Sequence, residues 1–123
     1  MLTRFLGFLL LAGALFCAGT PMAFAHAFLD RADPAVGATV KSAPPRAALT
    51  FTEALEPDFS SITVEDGAGR RVDLGDAHTA PDDAKRLSVG LKPLPPGSYK
   101  VQWRVTSVDT HKTSGSFSFT VAP

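Results

Sequence analysis

The sequence predicts an all-β fold, an antiparallel sandwich or small Greek-key barrel of about seven strands, for most of this 123-residue chain. Three observations carry that expectation. Beyond residue 26, apolar and polar residues alternate in short runs, the period of a strand with one buried face. The runs are rich in β-branched and aromatic residues, which suit a pleated surface. Turn residues cluster between the runs, and no stretch has a helical period.

The elements follow in chain order. "RAALTFTEAL" puts Leu49 and Phe51 on one face. "SSITVEDGAGRRVDL" reads as two strands about a "DGAG" turn, with Ile62, Val64, Val72 and Leu74 inward. "KRLSVGL" alternates Leu87, Val89 and Leu91. "GSYKVQWRVTS" sets Tyr99, Val101, Trp103 and Val105 against Lys100, Gln102, Arg104 and Thr106. "GSFSFTV" alternates Phe117, Phe119 and Val121 with small hydroxyl residues. "DRADPAVGATVKSAPP" and "LKPLPPGS" are turn-rich connections, and "DAHTAPDDAK" reads as a polar loop. Such a strand count in one domain points to an Ig-like sandwich. The Ig cysteine pair is missing, so Trp103 packs without a disulfide.

The first 25 residues read differently. Arg4 is followed by the apolar run "FLGFLLLAGALFCAG" and then by the small-x-small triplet Ala23-Phe24-Ala25. This is the layout of a secretory signal, and the run falls short of the ~20 residues of a membrane span. Cleavage after Ala25 makes residues 1–25 a leader and leaves residues 26–123 as one domain. With Arg4 gone, 11 Lys and Arg stand against 12 Asp and Glu. That balance gives no general attraction to nucleic acid or anionic lipid. Cys17, Met1 and Met22 all lie in the leader, so the remaining domain holds no sulfur. No disulfide and no soft metal ligand is available to it.

Cleavage also turns His26 into an N-terminal residue, with a free amine beside an imidazole. The amine and ring Nδ1 can close a six-membered chelate on one metal ion. Farther on, "VTSVDTHKTSGSF" carries Asp109 and His111, two apart. In extended backbone they share a side. A carboxylate and an imidazole are poor core residues, so the expectation is that they sit at the rim where the sandwich ends. Taken alone, "DTH" is more often the mark of an Asp capping a turn with a loop histidine behind it. Combined with His26, it completes a set of three nitrogens and one oxygen. Such a set suits tetragonal Cu(II), while zinc would take the same donors tetrahedrally. Cu(I) and a blue-copper centre lack their sulfur ligands here. His78, in "GDAHTAP", is expected as an exposed loop residue.

These residues resemble the CopC family of periplasmic copper-binding, copper-resistance proteins, within the wider CopC/PcoC/YobA group. The likeness rests on "AHAFLDRADPAVGATVKSAPPRAALTFTEALEP", on "GSYKVQWRVTSVDTHKTSGSFSF" and on the histidine after the cleavage site. It spans the domain from residue 26 nearly to its end. The resemblance implies a small Greek-key barrel of Ig-like or cupredoxin-like type. It implies one Cu(II) held in a histidine brace by His26, Asp109 and His111, with Glu53 near the N-terminal amine. It also implies a monomer in the periplasm, active in copper homeostasis or resistance without enzymatic turnover, and a CopD-like inner-membrane copper transport protein as partner. The sequence departs from family members with a Met-rich Cu(I) loop, since no Met follows residue 22. Two other readings stay open on the residues alone. One is a histidine-brace copper oxidoreductase, which needs open coordination positions. The other is a metal-free Ig-like interaction module.

Overall fold

The computed structural model describes residues 27–123. The expected leader, its expected cleavage site and His26 lie outside the described residues. The strands are β1 (Leu29–Asp33), β2 (Thr39–Val40), β3 (Arg46–Phe51), β4 (Ser61–Glu65), β5 (His78–Ala80), β6 (Asp83–Gly90), β7 (Gly97–Thr106) and β8 (Lys112–Val121). A 3₁₀ turn covers Pro57–Phe59. They form two four-stranded sheets, ordered β1-β3-β6-β5 and β2-β8-β7-β4. The architecture is a sandwich of two separate sheets and not a closed barrel. Neighbouring strands run antiparallel except β2, which pairs parallel to β8 through Thr39–Thr120 and Val40–Val121.

The alternating residues named from the sequence supply the core. Leu49, Phe51, Ile62, Val64, Leu87, Val89, Leu91, Tyr99, Val101, Trp103, Val105, Phe117, Phe119 and Val121 are all buried. Burying one such side chain contributes ~1.5–3 kcal/mol, so the sheets need no cross-link to stay together. Phe51 meets Trp103 edge-on with centroids 5.1 Å apart, joining the two sheets. Trp103 lies directly across from Gly115. A Cβ on Gly115 would stand 2.5 Å from Trp103 Cζ2, so the indole occupies the space any side chain there would need. Tyr99 stacks on Phe119 at 5.5 Å and donates its hydroxyl to the Pro95 carbonyl, pinning the "LKPLPPGS" connection to the start of β7.

The described residues form eight strands against the expected seven or so, and three short ones lie where no strand was expected. β1, β2 and β5 come from segments that read as turns and loop, because pairing with a neighbour and not side-chain alternation defines them. The second arm of the "DGAG" hairpin is a further departure. The turn itself forms: Asp66 N–H donates to Arg70 C=O at 2.9 Å, and Gly69 takes the left-handed conformation with φ 79°. After the Glu65–Arg71 bridge, however, the chain leaves β4. It pairs instead with residues 90–92, through Leu74 N–H to Gly90 C=O and Lys92 N–H to Val72 C=O, both 2.8 Å. Val72 is half-buried, Leu74 is exposed, and Asp73 is buried in its place.

Asp73 can be buried because its carboxylate is saturated. Arg71 contacts it through two nitrogens at 2.7 Å, Val64 N–H donates at 2.8 Å and Gly75 N–H at 3.1 Å. Burial pushes its pKa up, but the Arg71 and Val64 bonds outweigh that and hold the carboxyl below the usual aspartate range. A lowered folded pKa gives stability that is complete above the unfolded value, about 3.9, and is lost as pH falls through the folded one. Asp73→Asn should therefore cost about 2–3 kcal/mol at neutral pH. Urea titrations from pH 7 down to pH 2.5 should find the gap to wild type closing below about pH 4. A gap constant across that range would mean that the charge of Asp73 is irrelevant to stability.

Candidate metal centre

The candidate centre stands at the end of the β7–β8 hairpin. The two strands keep register to the pair Thr106–Lys112, and residues 107–111 connect them. Ser107 N–H donates to His111 C=O at 2.9 Å, and Thr110 N–H returns to Ser107 C=O at 2.8 Å, closing a tight turn. A second strip of backbone braces one side of that turn. Leu55 bridges Ser107, Glu56 N–H donates to Thr106 C=O at 2.8 Å, and Val108 N–H donates to Ala54 C=O at 3.0 Å.

The expectation that Asp109 and His111 sit at the rim holds, but extended parity is not what brings them together. Both lie in the turn, and Thr110 between them is left-handed, φ 72°. That reversal folds Asp109 back over His111. Asp109 Oδ1 lies 3.1 Å from His111 Nδ1 and 3.4 Å from the His111 amide nitrogen. The same oxygen accepts the hydroxyl hydrogen of Ser107. Both side chains remain more than a third exposed, so an ion can reach them from solvent. The Ser107 bond holds the Asp109 carboxyl below the usual aspartate range; partial desolvation opposes this, and His111 adds to the lowering through ring and amide. Asp109 is thus an anion at neutral pH. The 3.1 Å approach of Asp109 Oδ1 to the buried Nδ1 is an electrostatic contact, and it leaves Nε2 as the ring nitrogen that could face a metal, the arrangement of a carboxylate-oriented ligand.

Glu53 is half-buried in the segment that follows β3. Its neighbour Thr52 exchanges hydrogen bonds with Phe28, N–H to C=O at 2.9 Å and N–H to Oγ1 at 2.9 Å. Its other neighbour, Ala54, accepts from Val108. The backbone at Glu53 therefore runs between the first described residues and the metal-site turn. His78 stands apart. It is exposed as expected, but on β5 and not in a loop, with Nδ1 2.8 Å from the Asp76 carbonyl oxygen.

Among the described residues, no group of three or more His, Cys, Asp or Glu side chains is placed to hold a metal ion. Asp109 and His111 are a two-donor half-site. The chain that precedes them in sequence arrives at the same place. Ala27 is fully buried, and its carbonyl accepts from Thr113 Oγ1 at 2.6 Å, two residues beyond His111. Ser107 is the site residue that the sequence reading missed. Its signal was the Ser-x-Asp-x-His spacing, which a reading centred on charged ligands passes over.

The fold is a small β-sandwich with a His–Asp couple at its rim, and comparison with known proteins supplies the family. The sequence model described as the CopC domain matches residues 29–122, and the chain belongs to the CopC family. Copper resistance protein C of Xanthomonas campestris pv. juglandis is 43% identical over 105 residues, 80% of this chain and 82% of that one. Protein YobA of Escherichia coli K12 is 39% identical over 103 residues, 83% of each chain. The crystal structure of CopC from Methylosinus trichosporium OB3b superposes with a TM-score of 0.75 at 36% identity, covering 80% of this chain and 95% of that one. The family is a copper-related one whose members carry the names of resistance and transport proteins, not of enzymes.

The left-handed Thr110 generates a test of the turn. A β-branched residue is costly there, whereas Asn tolerates it. Thr110→Asn should raise the stability of the metal-free protein by about 0.5–1 kcal/mol in urea unfolding. A loss of stability would show that the Thr110 hydroxyl, which donates to Asp109 C=O at 2.5 Å, matters more than the backbone strain.

Proposed function

We propose that this protein binds one Cu(II) ion outside the cytoplasm, as cargo, and works in copper homeostasis or resistance by sequestering or delivering it. His111 would donate Nε2, Asp109 its carboxylate, and His26 its free amine and ring Nδ1. The observation that carries this reading is the Ala27–Thr113 bond. His26 is one peptide bond from Ala27, and Ala27 is fixed to β8 two residues past His111. The chemistry of the set agrees: nitrogen-rich, with one anionic oxygen and no sulfur, it suits Cu(II) and not Cu(I). Glu53, on the strip between Phe28 and Val108, would accept a hydrogen bond from the amine once that amine has bound copper.

The reading needs His26 to be a true N-terminus, so it includes removal of residues 1–25 by a signal peptidase and release into the periplasm. The protein is taken as a monomer. Phe28 (60% exposed), Phe59 (70%) and Val108 (54%) come from segments bonded to the strips around the rim. They offer apolar contact to a membrane partner of CopD-like type that would receive the ion. The open ligand positions that an oxidoreductase needs find no support in a rim whose carboxylate would occupy one of them, although Phe28 and Phe59 do put aromatic surface nearby.

The ligand assignment is tested by alanine substitution. His111→Ala should reduce Cu(II) affinity at least a hundredfold, whereas His78→Ala should leave it unchanged, both read by competition with a chelator of known affinity. A larger loss at His78 would place the site on β5.

The terminus is tested by adding one Ala before His26. The amine becomes a peptide nitrogen and the six-membered chelate is lost, while the fold keeps all its contacts. Processed protein should take up one Cu(II) with the spin-resonance parameters of a tetragonal nitrogen-rich site, and the extended protein should bind orders of magnitude more weakly. Apparent affinity of the processed protein should also fall as pH drops below about 8, where a free α-amine retains its proton. Equal affinity in the extended protein would abandon the brace.

A further inference from the structure

We propose that Ser107 is the positioning residue of the copper rim: its buried hydroxyl fixes Asp109, which in turn fixes the ring of His111. The proposal rests on the copper reading above and deepens it.

The argument begins with burial. Ser107 is 0% exposed, and a buried hydroxyl costs free energy unless it is bonded. The oxygen of that hydroxyl approaches Asp109 Oδ1 and, at 3.2 Å, the His111 carbonyl. It has one hydrogen to give. The carboxylate is the nearer acceptor and the charged one, so the hydrogen goes to it, while Ser107 N–H holds the His111 carbonyl. The turn is therefore closed by backbone alone, and the hydroxyl is not needed for that.

What the hydroxyl adds is a fixed reference. Ser107 is held by the Leu55 bridge and by the neighbouring Val108–Ala54 bond. Asp109 and His111 are in the exposed part of the turn. An aspartate at such a place can rotate about two side-chain bonds. Here every contact it makes with described side chains and amides falls on Oδ1: the Ser107 hydroxyl, the His111 ring nitrogen and the His111 amide. One oxygen is spent on orientation and Oδ2 is left for other use. The same oxygen faces Nδ1 of His111, which selects the tautomer with its lone pair on Nε2. Ser107 thus acts through Asp109 upon a nitrogen it does not touch.

The test uses processed protein beginning at His26, with Ser107→Ala, Asp109→Asn and the double variant. Three quantities are measured: Cu(II) affinity by chelator competition, the spin-resonance spectrum of the copper form, and ring nitrogen shifts of His111 in the metal-free protein. Ser107→Ala should stay folded, lose affinity about tenfold and shift the copper spectrum. Its metal-free His111 should lose the Nδ1–H tautomer in part. The double variant should bind no more weakly than Asp109→Asn alone, since both changes cut one chain of contacts. Additive losses, an unchanged tautomer, or a Ser107→Ala protein that fails to fold would each overturn the proposal, the last by giving the hydroxyl a structural role. If wild-type protein itself took up no Cu(II), the copper reading would fall, and the tautomer measurement would still decide whether Ser107 governs the two residues beyond it.

Discussion

The register of the β7–β8 ladder is the constraint on which the rest of the molecule depends. It runs unbroken from Gly97–Val121 to Thr106–Lys112. A slip of one residue would turn Tyr99, Val101, Trp103 and Val105 to solvent and bring Lys100, Gln102 and Arg104 into the core. The contact that locks it is the indole of Trp103 over Gly115, where no side chain fits. The same ladder dictates where it must stop. Beyond Thr106 the connection is too short for anything but a tight turn, and that turn carries Ser107, Asp109 and His111. Core packing and metal-site geometry are consequences of one pairing.

This arrangement separates folding from ligand chemistry. The buried residues that join the sheets are apolar, and the buried carboxylate, Asp73, is satisfied at the far end of β4 by Arg71 and two amides. Neither depends on the rim. The rim in turn is rigid at its base and open at its tip, the usual way a scaffold carries a binding loop. Among the described residues, Thr110 is the non-glycine residue with left-handed backbone, and it sits between Asp109 and His111. Strain tolerated at that position is consistent with a turn shaped by what it presents and not by its own stability.

Much of this could be read from the sequence, and the reasons are specific. The cores of β3, β4, β6, β7 and β8 were legible because apolar alternation is both the cause of burial and its written record. The rim position of Asp109 and His111 was legible because a carboxylate and an imidazole cannot join the core, although a turn about left-handed Thr110 and not strand parity brings them together. The edge strands β1, β2 and β5 were not, since none of their residues is fully buried and no apolar alternation marks them, whereas β4, also at an edge, buries Ile62 and Val64. Leu74 and Asp73 exchanged their expected places for a similar reason. Local alternation favoured Leu74 inward, but the pairing with residues 90–92 came from a segment farther along the chain, and Arg71, Gly75 and Val64 saturated the Asp73 carboxylate so that it could be buried instead.

The sequence by itself determined the strand class, the core residues, the sulfur-free chemistry of the domain and the kinds of donor available to a metal. Those properties follow from composition and period, which are local. Only the tertiary structure decided that Asp109 Oδ1 comes within 3.1 Å of the His111 ring, that the Ser107 hydroxyl bonds the same oxygen, and that Ala27 is tied to Thr113 beside them. Each of these is a distance between residues set by the hairpin register and by a left-handed turn, and a distance across a folded chain is not written in the order of its residues.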